Sequence, residues 1–196
     1  MPHKPRRESS TRFYHIYVRG INKEKIFGQP REKNYFKRII RKYLKEYDVE
    51  IYSYCIMSNH AHLLIKSDLK ELSMFMSKVL AKYAQYYNYK NNRNGHVFQN
   101  RFGSECIESE RYFWNCLKYI HMNPVKACMV SGLMDYKYSS IKDYMNEIVD
   151  IFLFWKYGAS DIEDVILNGL GGFIGIIAYR ILLKMFLNFS KVKFAV

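Results

Sequence analysis

From Phe13 to Ile107 the apolar residues alternate between a period of two and a period near 3.6, and that order of periods admits very few folds. Phe13-Tyr14-His15-Ile16-Tyr17-Val18-Arg19 is β-rich and stops at Gly20, as a strand does. Pro30 and Arg31 then open a helix. Its apolar stripe is Tyr35, Phe36, Ile39, Ile40, Tyr43, Leu44 and Tyr47, with lysines and arginines opposite. Residues 49–56 and 60–66 read as strands joined by the turn Met57-Ser58-Asn59. A second helix over 69–89 is striped by Leu72, Phe75, Met76, Val79, Leu80 and Tyr83. Beyond the polar loop 90–95, residues 102–107 read as a fourth strand, and 109–122 as a third helix stopped by Pro124. The expected class is α+β: a ferredoxin-like, RRM-like β-α-β-β-α-β antiparallel sheet, plus a C-terminal helix that carries Tyr119.

Two short phrases on this frame carry chemistry. His60 and His62 sit at spacing two on a strand and so point to one side; Tyr119 and Asn123 sit at spacing four on a helix and share a face. Spacing alone leaves both pairs open. Two histidines on a strand are commonly half-buried scaffold, and a tyrosine in an aromatic helix is commonly packing. If the two faces meet, the imidazoles hold a divalent cation with positions left open, and the Asn123 carbonyl supplies a third ligand. The Tyr119 hydroxyl then reaches a metal-bound phosphate. Nitrogen and oxygen donors without thiolates suit Mg²⁺ or Mn²⁺ rather than structural zinc.

Charge points to the same partner class. The chain carries a formal +13, and residues 1–45 hold fourteen Lys or Arg against Glu8, Glu24 and Glu32, a net +11. Phosphate backbones are the usual partner of such a field, although a solvated basic face has the same composition. Cys55, Cys106, Cys116 and Cys128 lack metal-type spacing and no secretory signal precedes them, so reduced thiols and a cytoplasmic location are expected. The apolar run 165–187 is interrupted by Asn168, Arg180 and Lys184, and a membrane span is not expected. The expected organisation is one domain over 1–148 and a hydrophobic, glycine-containing tail over 149–196.

Four phrases, in order and spacing, resemble the IS200/IS605-type single-tyrosine HUH transposases, in particular the REP-associated tyrosine transposases. They are Tyr14-His15-Ile16-Tyr17-Val18-Arg19-Gly20-Ile21-Asn22, Tyr54-Cys55-Ile56-Met57-Ser58-Asn59-His60-Ala61-His62-Leu63-Leu64, Gly95-His96-Val97-Phe98-Gln99-Asn100-Arg101-Phe102, and Tyr119-Ile120-His121-Met122-Asn123-Pro124-Val125-Lys126-Ala127. The resemblance implies that His60, His62 and Asn123 bind the divalent ion and that Tyr119 attacks single-stranded DNA. The products would be a 5′-phosphotyrosine link and a free 3′-OH, with no ATP used. It further implies a hairpin-containing substrate and a possible homodimer. Arg6, Arg7, Arg12 and Arg19, with Lys90, Arg93 and Arg101 as a second group, are the candidates for DNA contact. Cys128 stands where the family turns with glycine, so strain is expected there. Two other readings use the same residues: a non-catalytic DNA-binding protein and an RNA-binding protein of the same strand order.

Overall fold

A computed structural model describes residues 5–145, so the tail expected over 149–196, the boundary before it and the apolar run 165–187 lie outside the described residues. Strands β1 (Phe13–Arg19), β2 (Val49–Ile56), β3 (His60–Ser67) and β4 (Gly103–Cys106) form one antiparallel sheet in the order β2-β3-β1-β4. Helix α1 (Pro30–Tyr43) connects β1 to β2, α2 (Leu69–Lys90) connects β3 to β4, and α3 (Glu110–Lys126) follows β4. This is the ferredoxin-like order, with β3 between the two strands that α1 connects.

Register decides which residues share a face, because successive side chains of a strand point to opposite sides. Tyr17 pairs with His62, His15 with Leu64 and Arg19 with His60, and on the other edge His15 pairs with Glu105 and Tyr17 with Gly103. One face therefore carries His15, Tyr17, Arg19, His60, His62 and Glu105. The opposite face carries Tyr14, Ile16, Val18, Ala61, Leu63 and Ile65, each at most 3% exposed. There α1 and α2 pack together, and Phe27, Phe36 and Tyr83 meet ring to ring at 4.8–5.2 Å. Pro30 at the first turn and the reciprocal Gln29–Glu32 cap start α1 where the sequence places it.

Helix α3 packs against β2 and β3, on the histidine face, and Phe113 seats edge-on to Phe13 and Tyr52. Ser109 caps it by accepting from the Tyr112 amide at 3.2 Å. The helix does not stop at Pro124, as expected from sequence, but continues to Lys126. Pro124 removes the amide that would bond the Ile120 carbonyl. The Asn123 side chain compensates, donating its amide to the carbonyls of Tyr119 (2.8 Å) and Ile120 (3.5 Å). After Ala127, Cys128 turns at φ 53° while its N–H bonds the Val125 carbonyl and the Met129 N–H bonds that of Pro124. That is a Schellman cap with a side chain in the left-handed position that favours glycine. All four cysteines are free.

Candidate active site

Strand β3 supplies the centre of the site. His60 is half-buried and His62 is 7% exposed, and their rings meet edge-on at 5.0 Å. His60 Nδ1 donates to Asn59 Oδ1 at 2.6 Å, and the Asn59 amide is turned toward the Lys23 carbonyl, which fixes that amide's orientation. His62 Nδ1 shares a hydrogen bond with His15 Nε2 at 3.0 Å. Each of the β3 imidazoles thus spends one nitrogen on the scaffold, and its Nε2 has no protein hydrogen bond among the described residues.

Burial first, then the charge of Arg19, holds His60 below the usual imidazole range. Burial, then His15 and His60, brings His62 down to about 3. His15 is lowered by burial as well, against the opposing pull of Glu105. All three rings are therefore neutral at neutral pH, the state in which an imidazole lone pair can bind a cation.

Helix α3 brings Tyr119 to this group. Its ring lies edge-on to His62 at 5.3 Å and to His15 at 5.7 Å, yet it is 41% exposed and open to an incoming ligand. Lys126 Nζ lies 5.8 Å from the ring centre. Two residues on, His121 is buried against Ser140, with Nε2 2.9 Å from Oγ, and Ser140 in turn bonds the backbone of Tyr54 in β2. The stretch of helix bearing Tyr119 is thereby pinned to the sheet. Asn123 stands one turn after Tyr119 with its amide committed to helix carbonyls, which leaves Oδ1 as its remaining polar atom.

Among the described residues no three His, Cys, Asp or Glu side chains form a metal-holding cluster. A cation on the two β3 imidazoles would need a non-titrating third donor, the role expected of Asn123. Two neutral imidazoles, each oriented by a hydrogen bond through its other nitrogen, are in the state that a divalent cation binds.

The basic candidates separate into two groups. Arg6 stacks on Phe102, 3.7 Å from the ring centre, and donates to its carbonyl. Arg6, Arg7 and Arg101 line a groove of about 320 Å³ with Tyr17 and Gly103. Arg6 and Arg101 also border a larger one of about 650 Å³ that runs past His96, Ser73 and Ser77 of α2. Arg19 lies across from His60. The remaining three do not join this group. Arg12 pairs with Asp68 (2.8 Å) and Asp48 (3.4 Å), Lys90 forms a largely buried pair with Glu32, and Arg93 pairs with Glu24.

Sequence reasoning missed His15, Tyr17 and Glu105. His15 and Tyr17 alternate with Arg19 in β1, which is a signal of a shared face, but their meeting with His62 depends on register between strands far apart in sequence. Gly103 seats Tyr17: a Cβ there would stand 2.1 Å from a ring carbon, so only glycine lets the ring lie across β4.

The sequence model of a family described as "Transposase IS200 like" matches residues 9–123. A Haemophilus influenzae protein named "Putative REP-associated tyrosine transposase" is 29% identical over 128 residues, spanning 59% of this chain and 72% of that protein. The solved structure of a REP-associated tyrosine transposase bound to a REP hairpin superposes with a TM-score of 0.63 at 16% identity. It covers 75% of this chain and 87% of the other, a likeness of fold.

Proposed function

The chain belongs to the IS200-like transposase family, and on that premise we propose that it cuts and rejoins single-stranded DNA through a covalent link to Tyr119. The observation that carries the reading is the meeting of the exposed Tyr119 of α3 with His62 of β3, whose ring His60 meets edge-on, on a basic chain. In the proposed step the Tyr119 oxygen attacks a backbone phosphorus and loses its proton. The bond from phosphorus to the 3′ oxygen breaks, and that oxygen leaves as a 3′-OH. A 5′-phosphotyrosyl ester replaces one phosphodiester, so the exchange is close to isoenergetic, reverses on attack by another 3′-OH, and needs no ATP.

His60, His62 and the Asn123 carbonyl would hold Mg²⁺ or Mn²⁺. A divalent ion bound there supplies charge stabilisation at the phosphate and favours the phenolate. Arg6, Arg7 and Arg101 line the groove beside Tyr17, Arg19 lies across from His60, and these four would engage backbone phosphates, while Tyr17, 40% exposed, offers a stacking platform for a base. The solved relative holds a hairpin, and a hairpin-containing single strand is the proposed substrate here. A homodimer, a cytoplasmic location and a catalytic domain ending near residue 148 belong to the same proposal.

The test is a denaturing gel of the protein with 5′- and 3′-labelled hairpin DNA and Mg²⁺ or Mn²⁺. The proposal expects a covalent protein–DNA band that Tyr119→Phe abolishes while leaving DNA affinity within about twofold. Binding that ignores Tyr119 and the cation, with no covalent band under any condition, would instead favour a purely binding protein.

A further inference from the structure

We infer that His15 and Glu105 form a positioning pair that sets the tautomer of His62 and so aims its Nε2 lone pair at the cation; the inference rests on the proposed metal role of His62. Two imidazoles joined through Nε2 of one and Nδ1 of the other share one proton, and either ring can in principle donate. The structure breaks the tie on the far side of His15. Its Nδ1 faces Glu105 Oε2 at 3.5 Å. A carboxylate oxygen only accepts, so Nδ1 of His15 carries the hydrogen and its Nε2 carries the lone pair. His62 Nδ1 must then donate across the 3.0 Å contact, which leaves Nε2 of His62 unprotonated. Reversing the order would point a lone pair of His15 at a carboxylate and put a hydrogen on the His62 nitrogen a metal requires.

Three elements hold the chain in place. His15 and Glu105 are cross-strand partners in β1 and β4, and the His15 and His62 ring centres lie 5.1 Å apart with planes 22° apart. Glu105 is steadied from α3, where the Tyr112 hydroxyl donates to the same Oε2 at 2.9 Å. Tyr112 lies two turns before Tyr119, so the network that orients the β3 imidazole also touches the helix that bears the nucleophile. Hydrogen-bonded carboxylate–histidine pairs behind a ligand are a recurrent means of fixing ligand orientation and raising its basicity.

The test uses the full chain labelled with ¹⁵N-histidine. Long-range ¹H–¹⁵N spectra of the metal-free protein at neutral pH should show His62 protonated at Nδ1 alone. Glu105→Ala, at an exposed position that leaves the core intact, and His15→Phe should each move His62 toward the other tautomer. Titrated with Mn²⁺ alone in a calorimeter, both variants should bind about ten- to a hundredfold more weakly than wild type. His62 protonated at Nε2 in wild type, or an unchanged tautomer in both variants, overturns the assignment. Absence of Mn²⁺ binding by wild type would instead overturn the metal reading of the site, and the tautomer spectra would still decide the role of His15 and Glu105.

Discussion

His121 couples the stability of the domain to pH at the point where the helix that bears Tyr119 meets the sheet. It is 1% exposed, and burial lowers its pKa from 6.5 to about 3. A histidine depressed in the folded state contributes its full stability above the unfolded value and loses it as pH falls below 6.5, because the unfolded chain takes up a proton the native one refuses. Applied to these two values, linkage gives a loss of about 2 kcal/mol on going from neutral pH to about pH 5, with a slope that rises toward about 1.4 kcal/mol per unit at the acid end. Little solvent screening reduces that figure at so buried a site. The perturbation is His121→Gln, which keeps a polar atom near Ser140 Oγ but cannot titrate. Urea unfolding of both proteins at about pH 7.5 and pH 5 separates the effect from any fixed cost of the substitution. Wild type should lose about 2 kcal/mol more than the variant between the two conditions. Parallel losses would refute the reasoning, since His62 and the other histidines are common to both proteins.

Cys128→Gly removes a side chain from the left-handed position at the end of α3, and urea titration should show a gain of about 1 kcal/mol; no gain would mean that the Schellman geometry carries no strain. Tyr17→Ala should weaken binding of unpaired DNA by about 1–3 kcal/mol in fluorescence anisotropy, the usual worth of one stacked base, and unchanged affinity would exclude that platform. Chelation of divalent ions should stop strand cutting while leaving salt-sensitive DNA binding, and cutting that persists in excess chelator would remove the cation from the account. Lys90→Ala should destabilise the domain rather than release DNA, because its Nζ serves the buried Glu32 carboxylate; a DNA-binding defect in a protein of normal stability would reverse that reading.

The order of strands and helices was legible because each element shows its period in its own residues. The stripe from Tyr35 to Tyr47 and the run Leu63-Leu64-Ile65 need no distant partner to be read. The pairing of His60 with His62 and of Tyr119 with Asn123 was legible for the same reason. What escaped depends on contacts between segments far apart in the chain. His15 joins the site only because β1 lies beside β3 and β4 in one particular register, and no local pattern encodes register. Pro124 read as a stop because the rule for proline counts backbone donors; here the side chain of Asn123 supplies the replacement one residue earlier. Lys90 and Arg93 read as candidates for DNA contact because their carboxylate partners, Glu32 and Glu24, stand 58 and 69 residues away in the chain. Charge predicts the sign of a surface well, and its local use poorly.

The proposed strand exchange runs through the phenol of Tyr119. Its most direct measurement is peptide mass spectrometry of the protein after incubation with hairpin DNA and Mn²⁺, followed by nuclease digestion of the bound strand. A nucleotide remnant attached through its 5′ phosphate to Tyr119, and absent from Tyr119→Phe, is the expected result. A remnant on a different residue, or one attached through a 3′ phosphate, would contradict the account.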